Sequence, residues 1–165
     1  MNLGPIVLLC AVSFANAFSL GAFPVVLPDI RPTSGLDDFY LGVAASTFGL
    51  ARLVADIPAG LFTSRHLNRA ILIGPCILGA GALFTATGGP LPVLVTGRAL
   101  MGAGHALGTL ASLTTILRYQ DERSSSVSLN ACDMSGMVGV IGGTAAAGAL
   151  PDNWHWNVVF LVACT

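Results

Sequence analysis

Five ionisable residues fall inside stretches that are otherwise apolar: Arg52, Asp56, Arg98, His105 and Asp133. A charge held away from water is costly, and at membrane depth it marks a functional position by default. Arg52 can pair with an anionic solute. Histidine as a residue type titrates near neutral pH, so His105 or Asp133 could carry a coupling proton. A quieter chemistry is also open. Arg52 and Asp56 are four apart, on one helix face, and can neutralise each other. His105 can be a packed neutral imidazole, and Asp133 can bond a neighbouring helix.

The elements that position these groups are apolar segments of bilayer length. Spanning helices are expected over about 4–28, 39–63, 70–88, 91–116 and 126–150, with an incomplete sixth over about 155–165. Pro28 to Gly35 reads as a loop, Gly88-Gly89-Pro90 as a tight turn, and Pro151-Asp152-Asn153 as a short turn. At about 1.5 Å per residue, Arg52 and His105 lie roughly 20 Å below the outer surface, and Asp133 about 10 Å above the inner one. These three are therefore expected to share a layer. By the same count Arg98 sits higher, about 10 Å from the outside, and Asp56 lies near the cytoplasmic end. Glycines 136, 139, 142, 143 and 148 make the fifth segment a poor helix in water, but small residues allow close packing in lipid. Trp154 and Trp156 read as part of an interfacial aromatic belt.

The composition points the same way. The chain has 165 residues, of which 54% are hydrophobic and 9% charged, with a mean hydropathy of +0.79. Soluble domains carry about 25% charged residues, so this chain has too few to cover a water-facing surface. All seven basic residues are Arg, with no basic face of the kind nucleic acid needs. Cys10, Cys76, Cys132 and Cys164 are widely separated in apolar surroundings, so they read as packing residues and call for no metal or cofactor. Ala15-Asn16-Ala17 has the form of a signal-peptidase site, but there is no basic stretch before it and the apolar run continues to Pro28, which favours a retained helix.

Arg65, Arg69, Arg118 and Arg123 fall in the loops after the second and fourth segments, and only Arg31 falls in the opposite loops. That asymmetry places the N-terminus in the cytoplasm.

The stretch Gly60-Leu-Phe-Thr-Ser64-Arg65-His-Leu-Asn-Arg69 resembles the signature G-x-L-x-D-R-x-G-R-R between the second and third helices of the major facilitator superfamily. Gly60, Arg65 and Arg69 match. Phe62 stands for Leu, Ser64 for Asp, Leu67 for Gly and Asn68 for Arg. Arg98 to Gly102 resembles the family's fourth-helix R-x-x-x-G pattern. The glycines from 136 to 143 resemble the antiporter motif of the fifth helix, without its Gly-Pro pair. Trp154 to Phe160 resembles the entry to the sixth helix, with His155 at an Arg position.

The resemblance implies an all-α, polytopic bundle: the six-helix N-terminal half, over 1–165, of a transporter of small solutes working by alternating access. Its partners would be the lipid bilayer of the cell (inner) membrane, a small solute and a C-terminal half. Arg65 and Arg69 would gate, and Ser64 in place of Asp would weaken the cytoplasmic latch. Arg98 would serve the transporter core.

Two other classes remain. A truncated, non-transporting fragment is one, since the sixth segment stops about halfway. An intramembrane enzyme is the other; His66, His105 and His155 are too far apart for a catalytic metal set. No G-x-x-x-x-G-K-S/T loop is present for direct use of ATP.

Overall fold

The computed structural model describes residues 3–149 and 155–164. They form six helices: α1 (Leu3–Ser34), α2 (Asp38–Arg65), α3 (Leu67–Ala86), α4 (Leu91–Tyr119), α5 (Glu122–Ala149) and α6 (Trp156–Cys164). No strand occurs among the described residues. Helices α1 to α4 are long and apolar enough to cross a membrane. Helix α5 is 28 residues long but richer in Ser and Gly, and is not among those four. The turn at 151–153 and Trp154 lie outside the described residues.

The loop expected over Pro28 to Gly35 is instead the last part of α1. Pro24, Pro28 and Pro32 all lie inside the helix. Proline normally disrupts a helix by removing a donor and clashing with the preceding turn. Here the three are four apart and share one exposed face. The opposite face, with Phe23, Val26 and Ile30, is almost fully buried and holds the helix on course. Gly35 ends it at φ 65°, a left-handed terminus that glycine adopts without strain. Its N–H donates to the Arg31 carbonyl at 3.1 Å.

The basic turn between α2 and α3 shrinks to one residue, His66. Its N–H donates to the Phe62 carbonyl at 2.8 Å, and its ring stacks on Phe62 at 5.2 Å. Arg65 and Arg69 are exposed on the flanking helix ends. At the start of α5, Asp121 is fully exposed, and a hydrogen bond from the Ser124 hydroxyl holds its carboxyl below the usual carboxylate range.

Helix α4 is the centre of one cluster and α1 of the other. The principal contacts are α1 with α5 and α6, and α4 with α2 and α3. Exchanging helices 1–3 for 4–6 maps this pattern onto itself, as two related three-helix repeats would. Hydrophobic burial does not drive association in lipid, so backbones approach through small residues and interhelical hydrogen bonds. Against α3, Gly108 abuts Gly74 and Gly97 abuts Gly81. Along α1, a Cβ at Gly139 would strike the Phe14 carbonyl and one at Gly143 the Phe18 carbonyl. Ser135 Oγ donates to the Cys10 carbonyl at 2.8 Å and Thr144 Oγ1 to the Gly21 carbonyl at 3.1 Å. The order of these contacts shows that α1 and α5 run parallel.

Candidate functional site

These pairings leave an open-sided cavity of about 570 Å³ between α1, α2, α4 and α5. Helix α1 contributes Ser13, Asn16, Ala17 and Leu20, spaced so that one helical stripe faces inward. Helix α4 contributes His105, Thr109, Ser112, Leu113 and Ile116 in the same manner, and α5 contributes Leu129, Asn130, Cys132, Asp133, Gly136, Met137 and Val140. Helix α2 contributes Arg52 alone. It gets close enough because Gly102 on α4 has no side chain. A Cβ there would lie 3.1 Å from the Arg52 backbone nitrogen and would strike the Phe48 carbonyl.

Arg52, His105 and Asp133, expected to share a layer, thus line one cavity. His105 is 9% exposed, and its ring lies 5.6 Å from that of Phe48. Its Nδ1 has no hydrogen-bond partner among the described residues. Arg52 is half-buried, and Asp133 lies on the exposed side of the wall. Arg52 and Asp56 do not form an ion pair within 4.0 Å; among the described residues the pair present is Arg31–Asp38, exposed at 3.3 Å. Asp56 does not line the cavity. The wall therefore offers a guanidinium, an imidazole and a carboxyl group. Amide and hydroxyl groups from Asn16, Ser13, Thr109, Ser112 and Asn130 add directional hydrogen bonds. Sequence reasoning passed over these uncharged groups. Asn16 entered it only as the middle of a signal-peptidase-like triplet, and the structure buries it on α1.

Arg98, the fourth candidate for the solute or proton pathway, lies outside this cavity. It is 3% exposed, with its guanidinium carbon 3.9 Å from the Phe23 ring centroid and 4.9 Å from that of Phe48. Two aromatic faces hold the cation in the core by its attraction to their π-electrons. Phe48 touches both Arg98 and His105, so the buried cation braces the ring behind the cavity imidazole.

At the other end of the bundle, Arg118 Nη2 donates to the Ser64 carbonyl at 2.7 Å and ties the ends of α2 and α4. The Ser64 hydroxyl donates within its own helix to the Leu61 carbonyl at 2.8 Å. Gly60 has open space where a Cβ would sit. Cys10 and Cys132, read as separate packing residues, meet across α1 and α5 with their sulfurs 3.2 Å apart.

The family model described as Major Facilitator Superfamily matches residues 9–165. The chain is 26% identical to the inner membrane transport protein YajR of Escherichia coli over 112 residues, which is 66% of this chain and 25% of that protein. It is 25% identical to human solute carrier family 2, facilitated glucose transporter member 12, over 147 residues, or 87% of this chain and 24% of that one. An uncharacterized transporter of Buchnera aphidicola is 25% identical over 131 residues, 79% of this chain and 33% of the relative. The chain thus spans a third or less of the length of these curated relatives.

Proposed function

Since this chain belongs to the major facilitator superfamily, we propose that it is the N-terminal half of a secondary transporter and carries one wall of the solute path. It is an integral membrane protein and a transporter rather than an enzyme. On our reading it sits in the cell (inner) membrane with its N-terminus in the cytoplasm, an orientation the arginine asymmetry supports. A C-terminal half supplies the facing wall, and the two alternate access to a small polar solute.

The observation that carries this reading is the cavity shared by Arg52, His105 and Asp133. Arg52 holds an anionic group of the solute. Asp133, with no ion-pair partner on its helix, takes the coupling proton. His105 lines the wall beside them. Arg65 and Arg69, at the junction of α2 and α3, meet the facing half and latch the cytoplasmic side.

The test uses the full reading frame in proteoliposomes with a panel of small solutes. Thr109→Trp fills the cavity and is expected to abolish transport, while Leu117→Trp, on an exposed part of α4 outside the cavity, preserves it. Equal transport by both variants, each folded as judged by detergent monodispersity, would contradict the proposal. A second reading, a non-transporting piece that needs its other half, rests on the small share of each relative that the chain spans. Reading the frame beyond Thr165 separates the two: a second six-helix half in the same frame supports the transporter, and a stop codon there supports the fragment.

A further inference from the structure

Cys10 and Cys132 are 122 positions apart in sequence, yet their sulfur atoms are separated by 3.2 Å. Both are free thiols. A disulfide bond is about 2.05 Å long, so closing this pair takes an approach of about 1.2 Å. Contacts on either side hold the two helices together here. Ser135, three residues after Cys132, donates to the Cys10 carbonyl itself at 2.8 Å. One turn further along, Gly139 lies against Phe14. Cys132 also lines the cavity, beside Ser13, which gives a small reagent a route to one of the two sulfurs. Cys76, exposed on α3, has no such neighbour thiol among the described residues.

We propose that Cys10 and Cys132 form a dithiol modification site, which a small disulfide entering the cavity converts to a covalent α1–α5 crosslink. The Cys132 thiolate attacks one sulfur of the reagent and forms a mixed disulfide, and one reagent thiolate leaves. The Cys10 thiolate then attacks the Cys132 sulfur, forming the protein disulfide and expelling the second reagent thiolate. The two protons lost by the protein are taken up by the two departing thiolates. The protein is oxidised by two electrons and one soluble disulfide is reduced to two thiols. The crosslink pins the turn of α5 that carries Asp133 to α1. This inference rests on the thiol geometry and is independent of the transport reading.

The experiment treats membranes containing the full reading frame with 2-hydroxyethyl disulfide, then with N-ethylmaleimide, followed by digestion and mass spectrometry. The expected result is a Cys10–Cys132 linked peptide at monomer mass on a non-reducing gel. Neither residue then carries maleimide, and dithiothreitol restores both. Cys10→Ser is expected to leave Cys132 as a stable mixed disulfide. Full alkylation of both cysteines in the wild type would overturn the proposal. So would separate mixed disulfides on both, or a link found only at dimer mass. The wild-type result decides even where the variant does not fold.

Discussion

Phe48 is the residue through which the buried core reaches the cavity, because its ring meets Arg98 on one side and His105 on the other. A planar guanidinium stacks on aromatic rings in a way an ammonium does not. Arg98→Lys is therefore expected to cost about 1 kcal/mol of stability, read as a lower Tm in detergent, with solute affinity kept within a few-fold. A loss of binding at unchanged Tm would place Arg98 in the solute path instead. Arg52 acts differently, as a cation on the wall. Arg52→Gln should weaken binding of an anionic solute at least tenfold, or about 1.4 kcal/mol, measured by isothermal titration on the full reading frame. The three wall ionisables were legible in the sequence because a charge in an apolar run has no inconspicuous place to go. Arg98 was equally visible, but nothing in its spacing revealed that Phe23 and Phe48 enclose it. Asn16, Ser13 and Asn130 carried no comparable signal, since neutral polar residues occur on any helix face. The contact of Cys10 with Cys132 depends on the parallel packing of α1 and α5, which local spacing does not encode.

At the scale of elements, helix ends were the least legible feature. Pro28, Pro32 and Gly35 read as a loop, yet α1 continues to Ser34 because its prolines align on the exposed face and leave the buried face intact. The glycines were legible as packing surfaces but not in their pairing. Gly143→Ala places a methyl group against the Phe18 carbonyl and should destabilise the bundle by about 1–3 kcal/mol. Gly60→Ala meets open space and should leave stability unchanged or raise it by up to about 1 kcal/mol. Thermal unfolding of the two variants in the same detergent compares them directly; equal Tm values would contradict the packing account. The short junction of α2 and α3 offers a further prediction. A carboxylate at position 64 would strengthen the latch attributed to Arg65 and Arg69. Ser64→Asp should therefore slow labelling of a cysteine placed at Asn68, and identical labelling in both backgrounds would remove the latch from the account.

Over the whole molecule, two three-helix sets with corresponding contacts line an open-sided cavity that carries a few polar and ionisable groups. Low charge content and segment length made the helical membrane fold readable, and the succession of motifs made the family readable. The arrangement of α1, α2, α4 and α5 around the cavity was not, because it follows from long-range backbone approaches at Gly102, Gly139 and Gly143. The central claim is that this cavity carries solute coupled to a proton on Asp133. The most direct test is uptake and efflux by the full reading frame in proteoliposomes, with and without an imposed pH gradient, comparing wild type with Asp133→Asn. The account predicts that wild-type transport follows the gradient and that Asp133→Asn still equilibrates solute but no longer responds to it. Equal responses in both would contradict it and leave Asp133 as a structural residue of the cavity wall.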